Sequence, residues 1–274
     1  MGITSAQLTP VTASQFNLIP QGSDYFPTGM YLRNASTGEI SQYSSGQFHL
    51  VSVPVANTMG LTGSNTVTIT AAQYNQVPKG NDYFPQGMLI QNVQTGEIDI
   101  YSNGQRHWIS VPVATKMNIT AAQLTTISAS QFNAIPQGND YFPEGSYLEN
   151  NVTGQISQYS GGTNHLVQTT VATVMGLTTS QIIPVTPSQY NAIPTGSAYY
   201  PDLILVQNNA TGEVDQIAGG ERYWVTPQDL TALNVSSSSI ATIGADEFNA
   251  IPLGGVFTMP ASTQQSSSSQ TSTS

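Results

Sequence analysis

The chain contains no cysteine. That excludes disulfides, thiolate nucleophiles and cysteine-type zinc sites. Charge is almost as scarce: Asp, Glu, Lys and Arg make up 7% of the 274 residues, against roughly 25% in ordinary soluble proteins. Lys and Arg total 5, too few to neutralise a run of phosphates or to build a polybasic patch for a membrane surface. A nucleic-acid partner is therefore excluded. No apolar run approaches the ~18 residues of a spanning helix, so membrane insertion is not expected. The opening Met1-Gly-Ile-Thr-Ser lacks both a basic region and an apolar stretch, and the sequence as it stands carries no standard signal peptide.

What fills the space is neutral and polar. Ser, Thr, Asn and Gln number 30, 32, 19 and 25, and the net charge is -10. Such a composition is more typical of extracellular than of cytosolic proteins. An extracellular or cell-surface location is the expectation.

The strongest signal is self-similarity. Val11 to Gly22 returns as Ile69 to Gly80, Ile127 to Gly138, Val185 to Gly196 and Ile243 to Gly254, always 58 residues on and without insertion. Its central aromatic is Phe16, Tyr74, Phe132, Tyr190 and Phe248 in turn. A second block, Gly-x-Asp-Tyr-Phe-Pro in its fullest form, centres on Tyr25, Tyr83, Tyr141 and Tyr199. A third places a turn glycine at Gly38, Gly96, Gly154 and Gly212, and a fourth puts His49, His107, His165 and then Tyr223 in register. The period divides the chain into repeats over residues 1–58, 59–116, 117–174 and 175–232, with a half unit over 233–260. The Ser/Thr/Gln tail over 261–274 cannot bury apolar surface and is expected to be disordered.

Within a repeat, Thr70-Ala-Ala-Gln73 reads as a capping box opening a helix of about two turns. Thr12/Gln15, Ser128/Gln131 and Thr186/Gln189 match it, and Gly244 and Glu247 fill the places in the fifth copy. Three short strands are expected next, shown by Met88 to Asn92, Glu97 to Tyr101 and Arg106 to Ser110, with Asn103-Gly104 as a two-residue hairpin turn and Trp108 pointing inward. A capped helical turn then runs to Met117. The fold class is thus a β-rich α+β tandem repeat. Each repeat is a three-stranded antiparallel meander with short helices, and stacking supplies the core that one small sheet lacks. Helix blocks number five and hairpin blocks four. The same half at both ends favours a linear array with a cap; the alternative is a closed, β-propeller-like ring. The C-terminal half unit is either a plain cap or an unpaired surface that docks another copy.

Met30-Tyr31-Leu32, Gly38, Met59-Gly60-Leu61 and Phe16 to Gly22, repeated through Gly254, resemble tandem repeat modules of secreted and cell-surface bacterial proteins. Those modules run through a strand, a Gly-turn hairpin, a short helix and a closing Leu-Pro-x-Gly-type signature. The resemblance implies a surface or accessory module and no catalytic residues. The basic residues usual around the hairpin are replaced here by Gln, Ser and Asn.

Candidate ligand-binding residues are the repeated acids Asp24, Asp82 and Asp140, the aromatics Tyr25, Tyr83, Tyr141 and Tyr199, and the histidines His49, His107 and His165. The acids hold an Asx-type turn, or else meet sugar hydroxyls or calcium, although no Asp-x-Asp-x-Asp calcium loop is present; Ala198 takes the fourth place. The aromatics pack between repeats or stack on sugar faces. One histidine per 58 residues does not gather a metal-ligand set, so no metal site and no cofactor are expected. Glu39, Glu97 and Glu213 with Gln155 repeat instead of forming one unique carboxyl pair, which argues against a glycosidase. Neither a nucleophile elbow nor a phosphate-cradling glycine loop is present. The functional expectation is a non-enzymatic structural or adhesive protein whose partner is itself, as a homo-assembly, or a cell-surface polysaccharide. The alternative is a multivalent carbohydrate-binding module.

Overall fold

The computed structural model describes residues 5–19, 22 and 24–258. The tail over 261–274 lies outside these. The first helix, α1 (Ala13–Leu18), stands before any strand. The first sheet follows: β1 (Tyr31–Asn34), β2 (Ile40–Ser44) and β3 (Gln47–Val51), then α2 (Val53–Thr58), β4 (Val67–Ile69) and α3 (Ala71–Gln76). The second set is β5 (Leu89–Asn92), β6 (Ile98–Ser102), β7 (Gln105–Trp108), α4 (Val111–Lys116), β8 (Thr125–Ile127) and α5 (Ala129–Ala134). The third is β9 (Tyr147–Asn150), β10 (Ile156–Ser160), β11 (Thr163–Val167), α6 (Thr169–Val174), β12 (Ile182–Val185) and α7 (Pro187–Ala192). The fourth is β13 (Leu205–Asn208), β14 (Val214–Ala218), β15 (Glu221–Trp224), α8 (Pro227–Ala232), β16 (Ile240–Ile243), α9 (Ala245–Ala250) and β17 (Leu253–Val256). Two compact units result, Met1–Arg106 with Leu124–Pro136, and His107–Gln123 with Gln137–Ser274.

The class is mixed α+β, and none of the four sheets closes into a barrel. The expected three-stranded meander is corrected in one respect. Each sheet carries a fourth strand, β4, β8, β12 or β16, paired parallel to the first strand of its meander. In the first sheet Leu32 pairs with Val67 and Asn34 with Ile69. A parallel return needs a crossover, and α2 with its following turn provides it. These strands have three or four residues, too few to show an alternating pattern in the sequence.

Local signals act as their chemistry dictates. Thr12, Thr70, Ser128 and Thr186 each accept from the N3 backbone amide, and Gln15, Gln73, Gln131 and Gln189 reach back to the cap. Asn103 and Gly104 both have positive φ, 51° and 79°, the type I′ geometry that matches strand twist. Ser110 heads α4 without a side-chain cap bond, so that helix is held by packing. Trp108 is half-buried and Trp224 exposed, against the expected inward tryptophan. The core position of the third strand lies two residues earlier, at Phe48, Arg106, Asn164 and Arg222.

Those four positions reveal an alternation. In the first repeat Ser41 hydrogen-bonds the Tyr74 hydroxyl, and Phe48 stacks on the Tyr74 ring with centroids 4.8 Å apart. In the third, Ser157 bonds the Tyr190 hydroxyl and the Asn164 amide donates to the Tyr190 carbonyl. In the second, Asp99 replaces the serine, Arg106 replaces the phenylalanine and Phe132 replaces the tyrosine. Arg106 Nη1 lies 2.8 Å from Asp99 Oδ2, with the guanidinium 4.4 Å from the Phe132 ring centre. The fourth repeats this with Asp215, Arg222 and Phe248, at 2.7 Å and 4.5 Å. Burial raises the Asp215 carboxyl above its ordinary value, and the Arg222 hydrogen bond opposes that rise. Ring faces take a cation in both kinds of repeat, since Lys79 Nζ lies 3.4 Å from the Tyr74 ring centre; what differs is that a tyrosine also needs a partner for its hydroxyl, which the serine supplies. The Phe/Tyr alternation of the helix blocks follows from which polar pair lies beneath.

The fifth helix block is built into the fourth sheet. There β16 pairs with β13, and Ile243 and Phe248 are buried with Val206 and Ile217. The half unit is thus joined to the fourth repeat through β16 and α9, and its last strand, β17, forms the far edge of that sheet. Among the described residues the helix block with no meander before it is the first, where Phe16 is 68% exposed.

Candidate functional site

After its helix, each repeat's chain turns back along the third strand of its own sheet. Phe48 N–H donates to the Pro78 carbonyl and Gly80 N–H to the Phe48 carbonyl. Arg106, Asn164 and Arg222 donate to Pro136, Pro194 and Pro252 in the same way. This brings the Ile/Val-Pro-x-Gly signature beside the histidines. His49, His107 and His165 each use Nδ1 on a loop carbonyl, of Asn81, Asn139 and Ser197, at 2.8–2.9 Å. A carbonyl only accepts, so Nδ1 carries the proton in each. The histidines hold the loop in place.

Gly80 fits because the His49 ring presses on it. A Cβ there would meet His49 Cε1 at 2.6 Å. Gly80→Ala is expected to lower stability by roughly 1–3 kcal/mol in a denaturant melt. An unchanged midpoint would mean that the imidazole swings aside freely.

The loop, the helix and the hairpin tip enclose a cleft in the second and third repeats. The one at Asp82 has a volume of about 450 Å³, the one at Asp140 about 380 Å³. In the first of these, Phe84 forms the floor and its ring lies 5.4 Å from Tyr101. Gln131 from α5 donates through Nε2 to Asp82 Oδ2 at 2.8 Å. Its Oε1 meanwhile accepts in the capping box from Ser128. The glutamine that starts the helix thus also orients the carboxylate. In the second cleft Gln189 donates to Asp140 Oδ2 at 2.9 Å, and Phe142 lies 5.6 Å from Tyr159. Burial raises the Tyr101 and Tyr159 phenols above their ordinary value, with nearby Tyr83 and Glu144 adding to it, respectively. Both remain neutral hydroxyl groups at physiological pH.

Each cleft therefore combines an oriented carboxylate, an amide, a neutral phenol and an aromatic floor. This set can hydrogen-bond hydroxyl groups in both directions and cover an apolar sugar face. Each has a single carboxylate among its lining residues, so the two-carboxyl geometry of glycoside hydrolysis is not built there. The fourth repeat has changed together. Ala198 replaces the acid, Ile217 replaces the phenol, and Tyr200 hydrogen-bonds Glu247 at 2.5 Å. Its cavity shrinks to about 220 Å³.

The sequence-derived candidates separate accordingly. Asp82 and Asp140 reach clefts. Asp24 is exposed, and Tyr25 is 88% exposed on the same loop. Tyr83 accepts a hydrogen bond from Tyr31, and Tyr199 packs edge-on against Tyr147 at 6.2 Å. Burial and Tyr199 together push the Tyr147 phenol up to about 12. Tyr141 is half-buried and its N–H donates to the Trp108 carbonyl. The aromatics of the clefts are instead Tyr101 and Tyr159, which the sequence signals only by their own 58-residue recurrence after Tyr43. Among the described residues no three metal-ligating side chains gather, and no helix is long and apolar enough to cross a membrane.

No family model matches the chain, and no curated protein matches it. Solved structures give distant likenesses. The periplasmic assembly from the ESX-5 inner membrane complex is 11% identical, with 86% of this chain and 94% of that chain covered, at a TM-score of 0.19. An intact ESX-5 inner membrane complex is 12% identical over 88% and 84%, and the EccB3 dimer from the ESX-3 core complex 11% over 84% and 98%, both at a TM-score of 0.19. Likeness at that level bears on neither fold nor function.

Proposed function

We propose that the chain is a non-enzymatic, extracellular adhesive repeat protein, built as a linear array, whose repeats bind a neutral polysaccharide. One observation carries this reading: the same Asp–Gln–Tyr cleft occurs at Asp82 and again 58 residues later at Asp140. Two equivalent weak sites on one chain act together on a polymer. Linkage of this kind raises apparent affinity by about 10²–10⁴-fold over a single site. The low charge supports an uncharged ligand, and the neutral polar surface supports a location outside the cell.

A glycan array probed with the full chain tests the reading. Binding is expected to one class of neutral glycan. It is expected to fall by about 10²-fold or more in the double variant Asp82→Ala, Asp140→Ala. Ala198 already holds that position in the fourth repeat, so alanine is compatible with the fold. Absence of binding across the array, or full binding by the double variant, would sink the proposal.

A second reading, that the chain assembles with itself, is favoured by the first repeat. Val67 is 48% exposed where its register mates Thr125, Ile183 and Ala241 are at most 2% exposed.

A further inference from the structure

Within each compact unit, the helix after one meander packs on the parallel strand of the next repeat: α2 on β8, α4 on β12 and α6 on β16. Val55, Val113 and Val171 are wholly buried by this packing. Polar bonds fix the register. Thr58 and Thr125 share a hydroxyl hydrogen bond at 2.8 Å, Lys116 Nζ donates to the Ser180 carbonyl at 2.8 Å, and Thr170 Oγ1 donates to the Thr242 carbonyl at 2.8 Å. Two halves of this interface remain unmatched among the described residues. They are the β4 edge of the first sheet and the outward face of α8 in the fourth.

We propose that α8 of one copy docks on β4 of a second copy, head to tail, in this same geometry. The inference rests on the assembly reading and names its interface. The register transfers residue by residue. Ala232 stands three periods after Thr58 and would face Val67, which stands where Thr125 does. The threonine pair becomes a methyl-on-valine contact, matching the apolar Val174 and Ala241 at these places in the α6–β16 packing. Gln228 stands one period after Thr170, and its amide can donate to the Thr68 carbonyl as Thr170 does to Thr242.

Charge fits as well. Asp229 takes the place of the buried valine in α8, where its carboxylate accepts from Thr226 Oγ1 at 2.6 Å. An acid there needs a cation opposite. Arg33 lies directly across from Thr68 of β4, where the second repeat has Gln91. More broadly, seven of the 15 acidic residues fall between Asp202 and Glu247, with Arg222 the single basic residue of that stretch. The first 80 residues hold Arg33 and Lys79 against Asp24 and Glu39. An acidic end meets a neutral end that carries cations. A contact between two different surfaces of one molecule leaves one of each free in a pair, so copies add in a line, or close into a ring where the rotation allows.

The test is sedimentation of the full chain at low salt over rising concentration. Val67→Glu blocks the accepting edge and Ala232→Glu the donating face; both sites are exposed, so neither variant disturbs a core. The wild type is expected to associate. Each variant alone is expected to lose about tenfold or more in association constant. An equal mixture of the two retains one good edge and one good face, and is expected to stop at dimers. That mixed dimer also shows both variants folded. A wild type that stays monomeric overturns the interface and the assembly reading together. Association unaffected by both substitutions overturns the interface alone and leaves assembly standing. Monomeric variants whose mixture stays monomeric also overturn the interface.

Discussion

A chain carrying only Asp99→Ser is expected to lose about 3–5 kcal/mol of unfolding free energy, because Arg106 is then left buried without its principal anion. The side chain of Asp99 is fully buried and that of Arg106 nearly so. Glu97, 3.1 Å from Arg106 Nη1 and about one-third exposed, remains as a weaker partner and favours the lower end of that range. The first repeat shows how to remove the cost. There the same three positions are Ser41, Phe48 and Tyr74, with no ion pair. The triple variant Asp99→Ser, Arg106→Phe, Phe132→Tyr transplants that set. It is expected to recover to within about 1.5 kcal/mol of wild type, since well-packed neutral replacements of buried ion pairs are often neutral in stability. Urea unfolding of the wild type, the single and the triple variant measures both differences. A cost under about 1 kcal/mol for the single variant, or a triple no more stable than the single, would mean that the buried Asp99–Arg106 pair does not set the stability of this core.

The second large effect separates two residues that occupy one position in the repeat. Phe248→Ala is expected to destabilise the chain by about 3–5 kcal/mol. It removes a wholly buried ring from the fourth core and uncovers the guanidinium of Arg222, 4.5 Å above it. Phe16→Ala is expected to change stability by under about 0.5 kcal/mol, since the Phe16 ring packs in no core. Thermal or urea melts of the two variants side by side give the comparison. Equal costs would show that the first helix block is docked in solution and that its pairing differs from the one described.

That contrast marks how far the sequence is legible. The two phenylalanines sit in nearly identical blocks, Val11 to Gly22 and Ile243 to Gly254. Both form a helix of the same length in the same place, because caps, turn glycines and punctuation act over four or five residues. Which block is buried depends on a meander some 30 residues before it, paired through a parallel strand of only four residues. Nothing in the block itself encodes that partner. The candidate site divides in the same way. Asp82 and Asp140 stand out by repetition, but Tyr101 and Tyr159 become cleft residues only when the exit loop folds back on the third strand. Tyr83 and Tyr199 look equally available in the sequence, yet each is taken up by a neighbouring tyrosine.

The sequence by itself determined the 58-residue period, the helix starts, the hairpin turns and the scarcity of charge. These are local chemistry or simple composition, and neighbours along the chain are enough to fix them. Tertiary structure decided that the helix block closes the sheet before it, and that alternate repeats bury either a Ser–Tyr pair or an Asp–Arg–Phe set. It also decided that the clefts lie where loop, helix and hairpin meet. Those outcomes depend on burial and on partners dozens of residues apart. A buried hydroxyl or charge must find its complement in space, and the chain order does not say where that complement will be.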